Sequence, residues 1–269
     1  MGTVTGVVFR PQSPPEHLRA VVEAADAAAA EGGVDELWVW EDCFLEGGLT
    51  TAAAALAWST HVRVGVGLLP VPLRNPALAA MEIATLARLF PDRFVVALGH
   101  GVLDWMAQVG ARAASPMTLL REHTASVRDL LSGERVDVAG DYVHLDGVTL
   151  DWPPVQPPRL LVGARGPKTV RLAGEVADGV LLDGVVEPEV VVRGRATAQE
   201  GREAAGRAGA TYVAAYTEIA TAEVSADGVA GRVSRLVEAG ADSVILQSDA
   251  DDPDPRPLVA ALAEREHAD

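Results

Sequence analysis

Residues 163–168 read Gly-Ala-Arg-Gly-Pro-Lys, which is the composition of an anion cradle. Gly163 and Gly166 let backbone amides approach a ligand, Pro167 opens a helix whose first N–H groups lack partners, and Arg165 and Lys168 add charge. The same residues also suit an ordinary strand-to-helix turn with Pro167 at the first helical position. Of the 22 basic residues 21 are arginine and Lys168 alone is lysine, and it falls in this stretch. Codon bias accounts for that scarcity, but not for the place. Three further ionisable groups follow apolar runs directly. Glu41 and Asp42 come after a strand pattern at 35–40, as a pair able to polarise a substrate or merely to cap a helix. His100, in Gly99-His100-Gly101, is a proton donor, a ligand contact or a satisfied polar residue. Gly67-Leu68-Leu69-Pro70 ends a run of β-branched residues, where a glycine marks a bulge or a close backbone approach. Trp105, Met106 and Gln108 are placed to wall such a site or to fill the core. Serine-hydrolase, zinc-protease and P-loop signatures are absent, and with one cysteine, Cys43, and no Cys/His cluster, neither an internal disulfide nor a metal site is expected.

The elements that must position these groups alternate strictly. Thr3–Phe9 is a strand, Glu16–Glu31 a helix, Asp35–Trp40 a strand and Thr50–Ser59 an Ala-rich helix. Val62–Leu98 then forms one strand–helix–strand unit, whose two strands lie parallel because a crossover helix joins them. Strands follow at 159–162, 179–182, 211–219 and 243–246, with helices between them and a last helix from about Pro257. Eight strands and roughly eight helices predict a single (β/α)8 barrel over residues 1–269. Its candidate residues all follow strand C-termini, the ligand-binding edge of that fold. An open doubly wound sheet fits less well, since no Gly-x-Gly-x-x-Gly is present. An excursion at about 102–158 carries a helix opened by Ser115-Pro116, with Leu120, His123, Val127, Leu130 and Leu131 on one face, then a hairpin of Val136–Val138 and Tyr142–Leu145.

Composition narrows the partners. The chain has 38 acidic against 22 basic residues and a net charge of −16, which argues against nucleic acid or an anionic membrane. An anionic ligand needs a local basic pocket. No apolar run approaches about 18 residues, and the N-terminus lacks a signal-peptide pattern, so a cytoplasmic protein acting on a small molecule is expected. A homodimer or higher homo-oligomer is also expected.

Several segments together carry a resemblance. Glu36-Leu37-Trp38-Val39-Trp40-Glu41-Asp42, Gly67-Leu68-Leu69-Pro70 with Arg74-Asn75-Pro76, Ala84 to Arg93 (ATLARLFPDR), Gly99-His100-Gly101, Gly163 to Lys168, and Leu172 to Gly179 (LAGEVADG) occur in this order between about residues 36 and 183. The chain resembles the luciferase-like flavin monooxygenase superfamily, and within it the branch that uses the deazaflavin coenzyme F420, especially methylene-tetrahydromethanopterin reductases. The resemblance implies hydride transfer between coenzyme F420 and a small organic substrate. It also implies a bulge in the third strand with a non-prolyl cis peptide at Gly67-Leu68 bracing the coenzyme ring, and the coenzyme phosphate on Gly163–Lys168. Use of FMN instead would open monooxygenation, and a non-catalytic flavin-binding barrel is a third reading. Three departures bear on the choice. Glu41-Asp42 stands where many F420 dehydrogenases have Asp-His, Val102 stands where some carry an acid, and at 269 residues much of the usual insertion near strand seven is missing. Glu41, Asp42 and His100 therefore share the candidacy for proton donor.

Overall fold

The computed structural model describes residues 3–184 and 186–266; the ends of the expected 1–269 domain lie outside them. Eight parallel strands close in the order β1 (Val4–Phe9), β10 (Ser243–Gln247), β9 (Tyr212–Glu218), β8 (Gly179–Leu182), β7 (Arg159–Ala164), β4 (Phe94–Gly99), β3 (Arg63–Pro70) and β2 (Glu36–Val39). The chain is thus a (β/α)8 barrel. The crossover helices are α1 (Leu18–Ala30), α2 (Gly48–Trp58), α3 (Pro76–Leu89), α6 (Pro167–Val176), α7 (Pro188–Ala204) and α8 (Ala226–Glu238), and α9 (Arg256–Glu266) follows β10. The β4-to-β7 crossover is the excursion, with α4 (Leu103–Gln108), α5 (Pro116–Leu131) and an antiparallel pair, β5 (Val136–Ala139) and β6 (His144–Val148). Among the described residues no helix is long and apolar enough to cross a membrane.

Two shells of side chains explain the closure. Outward-facing strand residues such as Val64, Val66, Val96 and Val162 pack with the apolar faces of the helices in one large cluster. Inward-facing residues, among them Val8, Trp38, Ala97, Leu181 and Tyr216, fill the lumen. The indole of Trp38 meets the Tyr216 ring edge-on, with centroids 6.0 Å apart. Gly65 makes that fit possible, because a Cβ there would lie 2.3 Å from the Trp38 ring. The lumen is a packed core, so a ligand has to sit on its rim.

Boundaries shift from the sequence reading where distant side chains take over backbone groups. α2 starts two residues early because Glu41 Oε2 accepts the Gly48 N–H at 2.8 Å. The expected second hairpin strand, Tyr142–Leu145, moves to 144–148. Glu122 on α5 accepts the N–H groups of Asp141, Tyr142 and Val143 at 2.9–3.0 Å, which makes them turn rather than strand. The α helix expected from Glu16 begins at Leu18 after a short 3-10 turn at Pro15–His17. Leu120, His123, Val127, Leu130 and Leu131 do form the buried face of α5.

Candidate active site

The C-terminal rim of the barrel gathers the sequence candidates. β3 carries a bulge: Gly67 pairs with Ala97 and Leu69 with Leu98, which leaves Leu68 between them without a partner on β4. The Gly67–Leu68 peptide is cis, as the resemblance implies, and Cys43–Phe44 is a second non-prolyl cis bond that the sequence reading did not foresee. The Leu68 side chain lies across the mouth, half-buried, with β4 on one side and β7 on the other. A Cβ on Gly99 or on Gly163 would come within 2.4 Å of Leu68 Cδ2. A Cβ on Gly67 would lie 2.2 Å from the Tyr216 hydroxyl, which donates to the Gly67 carbonyl at 3.2 Å. Internal packing thus leaves no room for a Cβ at any of these three glycines, and Leu68 is the apolar side chain that remains half-exposed at the mouth.

Around this apolar floor stand the ionisable groups. Glu41 is occupied: Arg74 grips both its oxygens, with Nη2 to Oε2 at 2.8 Å, while Gly48 donates to Oε2. Arg74 also reaches Glu82 at 3.2 Å, and its carbonyl oxygen lies 3.1 Å from Nε2 of the buried His123. The expected catalytic role of Glu41 thus meets a residue whose lone pairs hold α2 and the loop before it. Asp42 is different. Burial raises its pKa, the nearby Asp183 carboxylate raises it further, and Arg10 and Arg165 pull it back. His100 moves the other way: burial lowers its pKa, with only the Pro116 backbone opposing, so the ring is neutral at pH 7. Its Nε2 lies 3.2 Å from Thr169 Oγ1, and its Nδ1 is sealed from solvent without a hydrogen-bond partner. Gly101 turns the chain after His100 at φ +68°, a conformation that favours glycine.

The Gly163–Lys168 segment divides. Ala164 is buried, whereas Arg165 is exposed and bound to Asp183 by an Nε···Oδ2 contact of 2.8 Å. Gly166 is the N-cap of α6 and has no capping side chain, and nothing lies within 4 Å of where its Cβ would be. Lys168 is exposed and has no carboxylate in ion-pair range among the described residues. An uncapped helix start with open space, a free cation and Pro167 at its first position fits an anionic group. With Arg165 turned towards Asp183, Lys168 is the cation left exposed at this helix start.

Arg10, Asp183, Thr169 and Tyr216 were not singled out from the sequence. Arg10 and Asp183 directly follow the ends of β1 and β8, a position that could have flagged them. Arg10 donates to the Ser248 carbonyl at 2.7 Å, contacts Glu218 and lies 5.3 Å from the Trp40 ring centroid. Of the expected wall, Met106 is buried, Trp105 half-buried and Gln108 exposed on α4.

A parallel barrel with a bulged third strand, an apolar floor and ionisable groups at its C-terminal rim defines a (β/α)8 barrel with a candidate site at that rim. The chain belongs to the luciferase-like monooxygenase family, whose sequence profile matches residues 1–265. It is 27% identical over 251 residues to a 5,10-methylenetetrahydromethanopterin reductase of Methanolobus tindarius, covering 92% of this chain and 75% of the relative. It is 30% identical over 207 residues to an F420-dependent glucose-6-phosphate dehydrogenase of Nakamurella multipartita, covering 69% of this chain and 59% of that one. The fold matches the coenzyme F420 dependent tetrahydromethanopterin reductase of Methanopyrus kandleri with a TM-score of 0.84 at 18% identity, over 98% of both chains. By family, the protein is an oxidoreductase of the luciferase-like class.

Proposed function

We propose that this protein is an F420-dependent oxidoreductase that moves a hydride between the coenzyme and a small organic substrate. The observation that carries the reading is Leu68, held by Gly99 and Gly163 as an apolar platform at the mouth and flanked by the open start of α6. A flat ring resting on Leu68 would direct an attached phosphate towards Gly166 and Lys168. The likeness to F420-dependent reductases and dehydrogenases favours F420 over FMN.

Coenzyme F420, when bound, supplies a ring that accepts or delivers two electrons as a hydride. The residues of the chain do the rest. Leu68 holds the ring in place and helps exclude water from the transfer path. Asp42 is the group that exchanges a proton with the substrate, since its raised pKa brings it nearer to neutrality than an ordinary carboxylate. Glu41, tied to Arg74, fixes the backbone that presents Asp42. Neutral His100, its Nε2 engaged with Thr169, lines the rim without adding charge.

Titrating the purified protein with F420 and with FMN tests the coenzyme: F420 binding with a shifted absorbance is expected, and FMN binding without any response to F420 would favour the monooxygenase reading suggested by the family name. Coenzyme oxidation over a panel of enones, imines and pterins then separates an enzyme from a flavin-binding barrel, because turnover of any member rejects pure binding. With a working substrate, Asp42→Asn is expected to lower kcat at least about a hundredfold and to abolish one limb of its pH profile. Unchanged kcat in this variant would return the proton to solvent. We also propose that the chain forms a homo-oligomer. Leu78, Met81 and Leu89 leave an apolar stretch of α3 exposed, and light scattering reads the mass directly.

A further inference from the structure

The barrel has a second mouth. At the N-terminal ends of β3, β4 and β7, away from Asp42, His100 and Lys168, a cavity of about 220 Å³ is lined in part by Arg63, Arg159, Phe90, Phe94, Asp92 and Gln156. We propose that this cavity binds a small organic molecule through a carboxylate or phosphate head held by Arg63 and Arg159. In a chain of net charge −16, two guanidinium groups sharing one cavity provide the kind of local basic site that an anion requires.

The two arginines differ in how far the protein occupies them. The Arg159 guanidinium is stacked over the Tyr212 ring, its central carbon 3.7 Å from the ring centroid; among the described residues it has no hydrogen-bond acceptor and no carboxylate in ion-pair range, and its charge acts at longer range on the buried Glu36. Stacking fixes the plane of the group while leaving its edge N–H donors free, an arrangement that prepares it for a planar or tetrahedral oxyanion. Arg63 contacts Glu36 at 3.2 Å (Nη2 to Oε1), and its Nε is buried without an acceptor, but the side chain as a whole keeps about a third of its surface exposed (31%). Glu36 does not depend on Arg63 alone, because Trp38 Nε1 donates to it at 2.9 Å and the Ser243 hydroxyl at 3.2 Å. Arg63 can thus share its charge with a guest.

The walls restrict what the guest can be. Phe90 and Phe94 supply apolar surface, which suits a short carbon skeleton. Gln156 offers an amide, and the Asp92 carboxylate on the same lining disfavours a polyanion and suits a hydroxyl or ammonium beside the anionic head. The stated class is therefore a small hydroxy- or amino-substituted carboxylate, or a small phosphate ester.

The test uses the full chain, labelled with 15N-arginine and titrated separately with lactate and with inorganic phosphate against a chloride control of equal ionic strength. Saturable shifts of the Arg63 and Arg159 Nε–H resonances, assigned from Arg63→Lys and Arg159→Gln, are expected with at least one probe. The probe that saturates at the lower concentration identifies the head group. Arg159→Gln should raise its Kd about tenfold or more, Arg159→Lys by less, and Lys168→Ala should leave it unchanged. Shifts that follow ionic strength alone, equal affinity in Arg159→Gln, or loss of binding in Lys168→Ala would each overturn the proposal, the last by placing the anion at the opposite mouth.

Discussion

Gly99→Ala probes the platform at its narrowest point. The new methyl would lie 2.4, 2.9 and 3.1 Å from Cδ2, Cδ1 and Cγ of Leu68. Because three atoms are too close, turning the end of the side chain cannot clear the contact, and Leu68 or its backbone must move. Overpacking of this kind costs about 1–3 kcal/mol. In a Leu68→Ala background the obstruction is gone, and the same Gly99→Ala change should be neutral or stabilise by about 0.4–1 kcal/mol, since alanine restricts the unfolded chain. The two changes should therefore couple by about 2 kcal/mol, measured as a double-mutant cycle in equilibrium urea denaturation. F420 titration of the same four proteins should show weaker binding in both single variants, because each alters the surface proposed to carry the ring. Additivity within about 0.5 kcal/mol would refute the argument that Gly99 is a glycine for the sake of Leu68. It would restore the alternative, in which the bare backbone at Gly99 faces a ligand.

Three further outcomes follow from the site. Lys168→Ala should weaken F420 binding ten- to a hundredfold by fluorescence titration while leaving the urea midpoint nearly unchanged, as expected for an exposed cation whose partner is the ligand phosphate. Glu41→Ala leaves Arg74 half-buried without its main partner and frees the Gly48 N–H, so a stability loss of about 3 kcal/mol is expected in urea, with kcat reduced only through a misplaced Asp42. His123 is buried, and desolvation lowers its pKa to about 4 against roughly 6.5 in the unfolded chain. The unfolded state thus binds a proton that the native state refuses, so this contribution to stability is intact above pH 6.5 and falls by about 3 kcal/mol as the pH drops towards 4. Urea midpoints between pH 7 and 4 should decline less steeply in His123→Gln than in the parent, and equal slopes would show that His123 titrates normally.

The strand–helix alternation was legible because each barrel strand is a short apolar run ended by Gly, Pro or charge, and each crossover helix carries its own apolar stripe; these are local patterns that closure into a barrel only repeats. Asp42, His100 and Lys168 could be read for the same reason: they come soon after strand C-termini, and in a parallel barrel that position is one edge. What distinguishes them was not legible. Glu41 and Asp42 are adjacent carboxylates in the sequence, and only folding brings Arg74 to the first and Asp183 to the second, so that one becomes a fixed anchor and the other an acid with a raised pKa. The glycines show the same division. Gly67, Gly99 and Gly163 looked like places where a ligand meets bare backbone, yet the atoms that exclude a Cβ there belong to Tyr216 and Leu68, as much as 149 residues away in the chain. Sequence order determined which residues reach the rim. Packing across the barrel decided which of them are held by the protein and which, like Leu68 and Lys168, keep exposed surface at the rim.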